Sequence, residues 1–319
     1  MELLLPKDIE SKILEDYLSY QILFVEFQSK FLTNIYNRYQ GVEKGNLVLY
    51  YAKQTQQAIL RQKDYNLNFN ISYEKFWENH HKISPNRNSV NKVAQDMLLP
   101  KETTRRKILQ LIKQKVLNKK NKNIGWLPSE QYKLNYNLVI DQEINDVAKL
   151  IGYICKKINL PISKEELVKE LREKFSFYWF HYLNTQLEYL KLWSKQINDL
   201  ELVLIFLQVA HLFASKVKEK NLSHKYLFDN PSLIKDYVSA SISATSIFEI
   251  TGIPRATCVR KLETLVRLKM ILQDNITKRY YLIPKAIEDN LVSRDATEKV
   301  VKVFSEFYFI CIRAIKAKP

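Results

Sequence analysis

A chain of 319 residues is long enough for two hydrophobic cores, and 46% hydrophobic residues with only 5 Gly and 9 Pro exclude a disordered or linker-rich protein. A net charge of +16, from 50 Lys and Arg against 34 Asp and Glu, points to a polyanionic partner. Three scattered cysteines (Cys155, Cys258, Cys311) are too few for a disulfide framework or a zinc site and fit a reducing cytoplasm, and no basic leader followed by an apolar run opens the sequence.

In chain order, Leu5-Pro6 with Asp8 and Glu10 marks a helix start, and Ile9, Ile13, Tyr17, Tyr20 and Phe24 keep the spacing of a buried helical stripe, continued by Phe27 and Phe31. Gly45-Asn46-Leu47-Val48-Leu49-Tyr50 opens an apolar segment. Val93, Ala94 and Met97 then read as the inner face of a short supporting helix, Leu98-Leu99 as a turn, and Pro100 as the start of a second helix, where a missing N–H costs nothing. Along that helix Thr104, Ile108, Leu111 and Ile112 share the inner face, while Lys101, Glu102, Thr103, Arg105 and Arg106 lie near the exposed N-terminal end. Val116-Leu117 and residues 124–127 flank an Asn/Lys turn that carries Lys119, Lys120 and Lys122, the form of a small hairpin. A helix over residues 141–158 follows.

The same order returns. Leu160-Pro161 with Glu165 and Glu166, the aromatic run Phe175, Tyr178, Trp179 and Tyr182, and the segment from Asp199 to Leu204 lead to a second motif. There the expected core is Ile247, Ile250, Cys258, Leu262, Leu265 and Val266, with Gly252 at the turn and Arg255, Ala256, Thr257, Val259 and Arg260 exposed. A second hairpin, Ile271-Leu272 against residues 279–283, carries Lys278, Arg279 and Tyr280, and a helix over residues 295–315 closes the chain. The most apolar run, residues 202–214, is broken by Gln208 and His211 and is shorter than the roughly 20 residues that span a bilayer, so no membrane partner is expected.

The two motifs align at an offset of 154 residues without a gap, keeping Pro, Thr and an Arg-Lys pair in register. Residues 88–125 hold ten basic groups against two acidic ones and residues 244–286 hold eight against three, so these windows carry +13 of the net +16. A helix, a tight turn, a basic amphipathic helix and a hairpin make a winged helix-turn-helix. The expected fold is mainly α: a tandem duplication of a winged-helix unit with flanking long helices and small β-hairpin wings. The units are residues 1–158, with the helix-turn-helix at about 88–128, and 159–319, with it at about 243–285.

Thr251-Gly252-Ile253-Pro254-Arg255-Ala256-Thr257, followed by Leu265-Val266 and Lys269-Met270-Ile271, resembles the winged helix of MarR-type bacterial regulators, a pattern shared in part by the GntR and IclR families. Tyr281-Leu282-Ile283-Pro284-Lys285 is similar to the segment leaving the wing in that family, and the first copy matches from Lys101 to Leu117 and more loosely at Gly125-Trp126-Leu127-Pro128. Departures are the length, about twice that of such regulators, and the long stretches 51–88 and 205–243 ahead of each motif. The resemblance implies sequence-specific DNA binding.

The expectation is a transcription regulator whose double-stranded DNA partner is gripped by two unlike winged helices acting as a covalent pseudo-dimer, with homodimerisation open. Lys101, Glu102, Thr103, Arg105 and Arg106 and their counterparts Arg255, Ala256, Thr257, Val259 and Arg260 would read bases and phosphates, and Lys119, Lys120, Lys122, Lys278, Arg279 and Tyr280 would touch backbone or minor groove. A plasmid-type replication initiator and a protein- or RNA-binding module remain as alternatives, as does a solvated surface helix for each motif. No glycine-rich phosphate loop or nucleophile elbow occurs, so no enzyme and no cofactor is expected. His80-His81 reads as a solvated or capping pair rather than a metal site. His211 reads as a satisfied core or interface histidine, and Glu165, Glu166, Glu170 and Glu173 as a solvated helix face. Phe175, Phe177, Tyr178, Trp179, Phe180 and Tyr182 line either a pocket for a small-molecule effector or a packing seam.

Overall fold

Apolar residues recurring every three or four positions make helix the dominant element. The computed structural model describes residues 4–83, 88–121, 123–220, 238–282 and 291–317, which hold thirteen helices and two small antiparallel hairpins. The fold is mainly α.

The first three helices, α1 (Pro6–Glu15), α2 (Tyr17–Tyr39) and α3 (Val42–Tyr65), have 10, 23 and 24 residues. A short α4 (Phe76–His80) follows, then α5 (Val90–Asp96), α6 (Lys101–Lys113), a hairpin, and α7 (Glu130–Lys157). Next come α8 (Lys164–Glu173), α9 (Phe175–Ile197) and α10 (Leu200–Glu219), of 10, 23 and 20 residues. Last are α11 (Ala244–Thr251), α12 (Arg255–Arg267), a second hairpin and α13 (Leu291–Lys316). Local stops are visible. Helix α2 ends where Gln40 turns left-handed at φ 55, ahead of Gly41, and α9 ends before Asn198 at φ 49. Asp199 then starts α10 by accepting the N–H groups of Glu201 and Leu202. Helix α7 begins earlier than residue 141, because Tyr136 and Ile140 bury a stripe that polar neighbours mask in the sequence.

Two compact units form. One takes its described residues from 1–10, 43–191 and 303–319, the other from 11–42 and 192–302. These are not the halves 1–158 and 159–319: helix α2 from the first half belongs with α10, α11 and α12 of the second. The packing explains this. Phe24, Phe27, Phe31 and Leu32 of α2 are buried, and α10 supplies Val203, Leu204, Ile205 and Leu207. Each such side chain, fully buried, contributes about 1.5–3 kcal/mol. Gln208, which interrupts the apolar run, pins the register: Ser29 Oγ donates to its Oε1 at 3.2 Å, and its Nε2 donates to Thr33 Oγ1 at 3.2 Å. At 20 residues α10 exceeds the expected length and is long and apolar enough to cross a membrane, yet 72% of its apolar window is buried inside the protein.

In the other unit the aromatic run is core packing. Phe175 stacks on Trp179 at 4.9 Å, Trp179 meets Tyr182 at 4.7 Å, and Tyr189 meets Phe304 at 6.2 Å. Phe177 and Phe180 are half-buried beside them. Cys155 and Cys311 are buried free thiols, and burial pushes Cys155 up to about 11. The acidic face of α8 is only partly solvated. Glu166 completes a capping box with Ser163, and Glu170, 1% exposed, accepts from the Tyr178 hydroxyl at 2.8 Å and pairs with Lys174 at 2.8 Å.

Because one unit needs α2 from before residue 159 and α10 to α12 from after it, cutting the connection does not separate the pieces. With a protease site placed between Asn159 and Ser163, the two fragments are expected to co-elute as one folded species after cleavage. Separation of folded fragments on native size exclusion contradicts the assignment of α2.

Candidate nucleic-acid interface

The same local chemistry builds both helix pairs. Ser89 caps α5 by accepting the Lys92 N–H at 3.2 Å, and Ser243 caps α11 by accepting the Ser246 N–H at 3.0 Å. Each first helix ends on a left-handed residue, Leu98 at φ 54 and Gly252 at φ 73. A leucine there costs roughly 1–2 kcal/mol, whereas at Gly252 a Cβ would also come within 3.1 Å of Asn37 Oδ1. Pro100 and Pro254 occupy the N-cap positions of α6 and α12, each 13 residues long.

The inner faces follow i, i+4, i+7 spacing. Thr104, Ile108 and Leu111 are buried in α6, and Cys258, Leu262 and Leu265 in α12. Ile112 and Val266 are half-buried. Ile250 departs from expectation: it is 48% exposed, and Ile253, beyond the turn, fills the core in its place. Both helices are followed by a left-handed lysine, Lys115 and Lys269, each at φ 57, that redirects the chain into a hairpin.

In the first hairpin β1 (Leu117–Lys120) pairs antiparallel with β2 (Asn123–Trp126), Leu117 opposite Trp126 and Lys120 opposite Asn123, so the strands run further into the turn than expected. In the second, β3 (Leu272–Gln273) pairs with β4 (Tyr280–Tyr281). An extra antiparallel bridge from Ile242 flanks β4.

The structure places Lys101, Glu102, Thr103, Arg105 and Arg106 around the N-terminal end of α6, all exposed except the half-buried Thr103. Glu102, Arg105 and Arg106 line an open depression of about 550 Å³ that also takes in Leu109, Gln110 and Lys113. Arg105 Nε contacts Glu102 Oε2 at 3.1 Å, an exposed ion pair of small worth that an incoming anion can displace. Lys119 and Lys120 are exposed on β1; Lys122 lies outside the described residues. On α12, Arg255, Ala256 and Arg260 are exposed and Thr257 and Val259 half-buried. Arg255 Nε donates to Thr245 Oγ1 at 3.1 Å.

Two residues expected on a wing differ from expectation. Tyr280 is 4% exposed, because β4 has a neighbour on both edges and Tyr280 sits mid-sheet. It is a frame residue. Arg279, though exposed, donates through Nη2 to Ser241 O at 2.7 Å and through Nε to Ser241 Oγ at 3.1 Å, bracing the hairpin. Lys278 is exposed.

Charge counting also misses two inward lysines. Lys107 Nζ pairs with Glu43 at 2.9 Å, and Lys261 Nζ pairs with Asp199 at 2.5 Å and Glu201 at 3.2 Å. Lys107 and Lys261 share the 154-residue offset, and both reach the N-terminal end of another helix, α3 or α10. They fasten α6 and α12 in place instead of offering charge outward. The sequence signal is their position one residue before Ile108 and Leu262, at the edge of the buried face.

Behind the first hairpin Phe76, Trp77 and Trp126 pack around His80, with Tyr136 against the two tryptophans. His80 is 5% exposed, so it is not a solvated residue. Its Nε2–H donates to the Trp126 carbonyl at 2.6 Å, which holds the end of β2. Lys133 donates to His81 Nε2 at 3.0 Å and to Glu130 at 2.6 Å, and lies 5.3 Å above the Trp77 ring. His211 is half-buried, and burial lowers its pKa. Among the described residues no three His, Cys, Asp or Glu side chains group to hold a metal ion.

The arrangement is thus two helix–turn–helix pairs, each followed by a hairpin and each showing basic side chains to solvent. No family model, curated protein or solved structure matches the chain.

His80 gives a pH test of the packing around it. Burial lowers its pKa from 6.5 to about 4, the nearby His81 and Lys133 charges add to this, and only the Trp126 carbonyl opposes it. The neutral form is the folded form. Its stabilising contribution is complete above pH 6.5 and fades as pH falls toward 4. The loss amounts to about 3 kcal/mol. Urea unfolding across this range is expected to show that extra acid sensitivity in the parent and not in His80→Gln. Equal pH slopes for the two proteins contradict the assignment.

Proposed function

We propose that the chain is a sequence-specific, double-stranded-DNA-binding transcription regulator: a tandem duplication whose two non-identical winged helices act as a covalent pseudo-dimer. One observation carries the reading. Positions 154 residues apart do the same work in both helix pairs: Ser89 and Ser243 cap, Leu98 and Gly252 turn left-handed, Pro100 and Pro254 start the second helix, and Lys115 and Lys269 lead into a hairpin. The resemblance of the second motif to MarR-type regulators supports it.

A helix of 13 residues with its N-terminal end exposed and basic fits the major groove, about 12 Å wide. Arg105 and Arg106 have the fork geometry for guanine O6 and N7 or for phosphate, and Glu102 can accept from cytosine N4 once Arg105 is drawn to the DNA. On α12 the equivalent of Glu102 is Ala256 and that of Arg105 is Val259, so apolar contact with thymine methyl groups replaces polar readout. The expected site has two unlike halves, not a palindrome. Lys119, Lys120 and Lys278 supply backbone contacts, and Arg279, tied to Ser241, serves mainly to hold its hairpin.

If each winged helix neutralises about four phosphates, duplex affinity falls with salt along a log–log slope of roughly −7. Fluorescence anisotropy on duplexes selected from a random pool measures it. Arg106→Ala and Arg260→Ala are each expected to lower the slope by about one if the residue contacts phosphate, and to relax base preference in one half-site if it contacts a base edge. A slope near zero overturns the reading.

A further inference from the structure

The two hairpins end differently. The exposed residues of the first are lysines and asparagines: Lys119, Lys120, Asn121 and Asn123. The second carries Ile276 at its tip, 91% exposed, among Asn275, Thr277 and Lys278. An isoleucine held almost wholly in water and stiff at χ1 buries nothing in its own fold, so it can gain apolar contact only from a partner.

The hairpin beneath it is closely hydrogen-bonded. Asp274 accepts the Thr277 N–H at 2.6 Å and the Thr277 hydroxyl at 2.5 Å, its own N–H donates to Arg279 O at 2.8 Å, and the Lys278 N–H returns to Asp274 O at 2.9 Å. At the base, Tyr280 and Ile242 exchange backbone bonds of 2.9 and 2.8 Å, and Arg279 is tied to Ser241. Tyr281 and Leu272 pack on Val217, Leu18 and Ile22 of the helices below. The tip is therefore presented in one fixed place, with Lys278 beside it to meet a phosphate. A rigid presentation spares the ordering cost that a floppy loop would incur on binding.

Resting on the reading of this hairpin as a DNA wing, we propose that Ile276 is a minor-groove wedge that unstacks a base step in the half-site read by α12, bends the duplex there, and so selects for a deformable step. Apolar wedges act this way in proteins that kink DNA, and pyrimidine–purine steps yield most easily. The first hairpin, with lysines in place of an apolar tip, contacts backbone without opening a step. Specificity at the wedge comes from deformability, at a position that no hydrogen bond reads.

The test uses the full chain and a duplex that it selects from a random-sequence pool, with dyes at the two ends for bending and permanganate to report unstacked thymines. The parent is expected to bend the duplex and to create one reactive step in the half-site read by α12. Ile276→Ala is expected to bind about tenfold more weakly and to lose both signals. Ile276→Lys should regain affinity, with a steeper salt dependence, and recover neither signal. Because Ile276 packs on nothing, both variants keep the parent's thermal unfolding. A straight, unreactive complex with the parent, or equal bending by the parent and Ile276→Ala, overturns the wedge while leaving duplex binding standing. Failure of the parent to select any duplex overturns the DNA reading itself.

Discussion

A single backbone constraint sets up each exposed helix: a left-handed residue followed two positions later by proline. The left-handed residue stops α5 or α11, and the proline makes continuation of the first helix impossible while suiting the start of the second. Inward residues at i, i+4 and i+7 hold the second helix down, and its opposite face is left free for charge. Gly252 meets the requirement without steric cost. Leu98, 42% exposed, meets it with strain.

The lysine–carboxylate pairs of Lys107 with Glu43 and Lys261 with Asp199 and Glu201 add a second constraint. Each ties the second helix of a pair, α6 or α12, to the N-terminal end of another helix, where backbone N–H groups already favour the carboxylates. Lys261 has two carboxylate partners, and one of them, Asp199, also caps α10; Lys107 has one. Charges that a count assigns to an outer face are therefore spent inside. The outer face is left with fewer cations, set in a fixed geometry.

Much of this was legible from residue order. Pro100 and Pro254, the buried four-residue spacing of α6 and α12, and the Asn- and Lys-rich turns announce helix, turn and hairpin because those signals are local. What stayed hidden was long-range. Tyr280 reads as an exposed wing residue until Ile242, 38 positions earlier, supplies the second edge of its strand. His80 reads as solvated until Phe76, Trp77 and Trp126 close over it. Ile250 continues the apolar spacing of α11, yet the helix ends one residue later and Ile253 takes the core position. Membership of α2 was the largest surprise. Nothing in its aromatic stripe says which apolar helix will complete it, and sequence proximity favours α3, whereas Ser29 and Thr33 choose Gln208 of α10.

The central claim is that one chain carries two unlike DNA readers. Genome-wide occupancy of the full-length protein in its own cells tests it most directly. The account predicts a recurrent asymmetric motif, one half rich in contacts suited to guanine and cytosine and the other in thymine runs with a flexible step beside them. Occupancy without a recurrent motif, or a motif with two identical inverted halves, contradicts it.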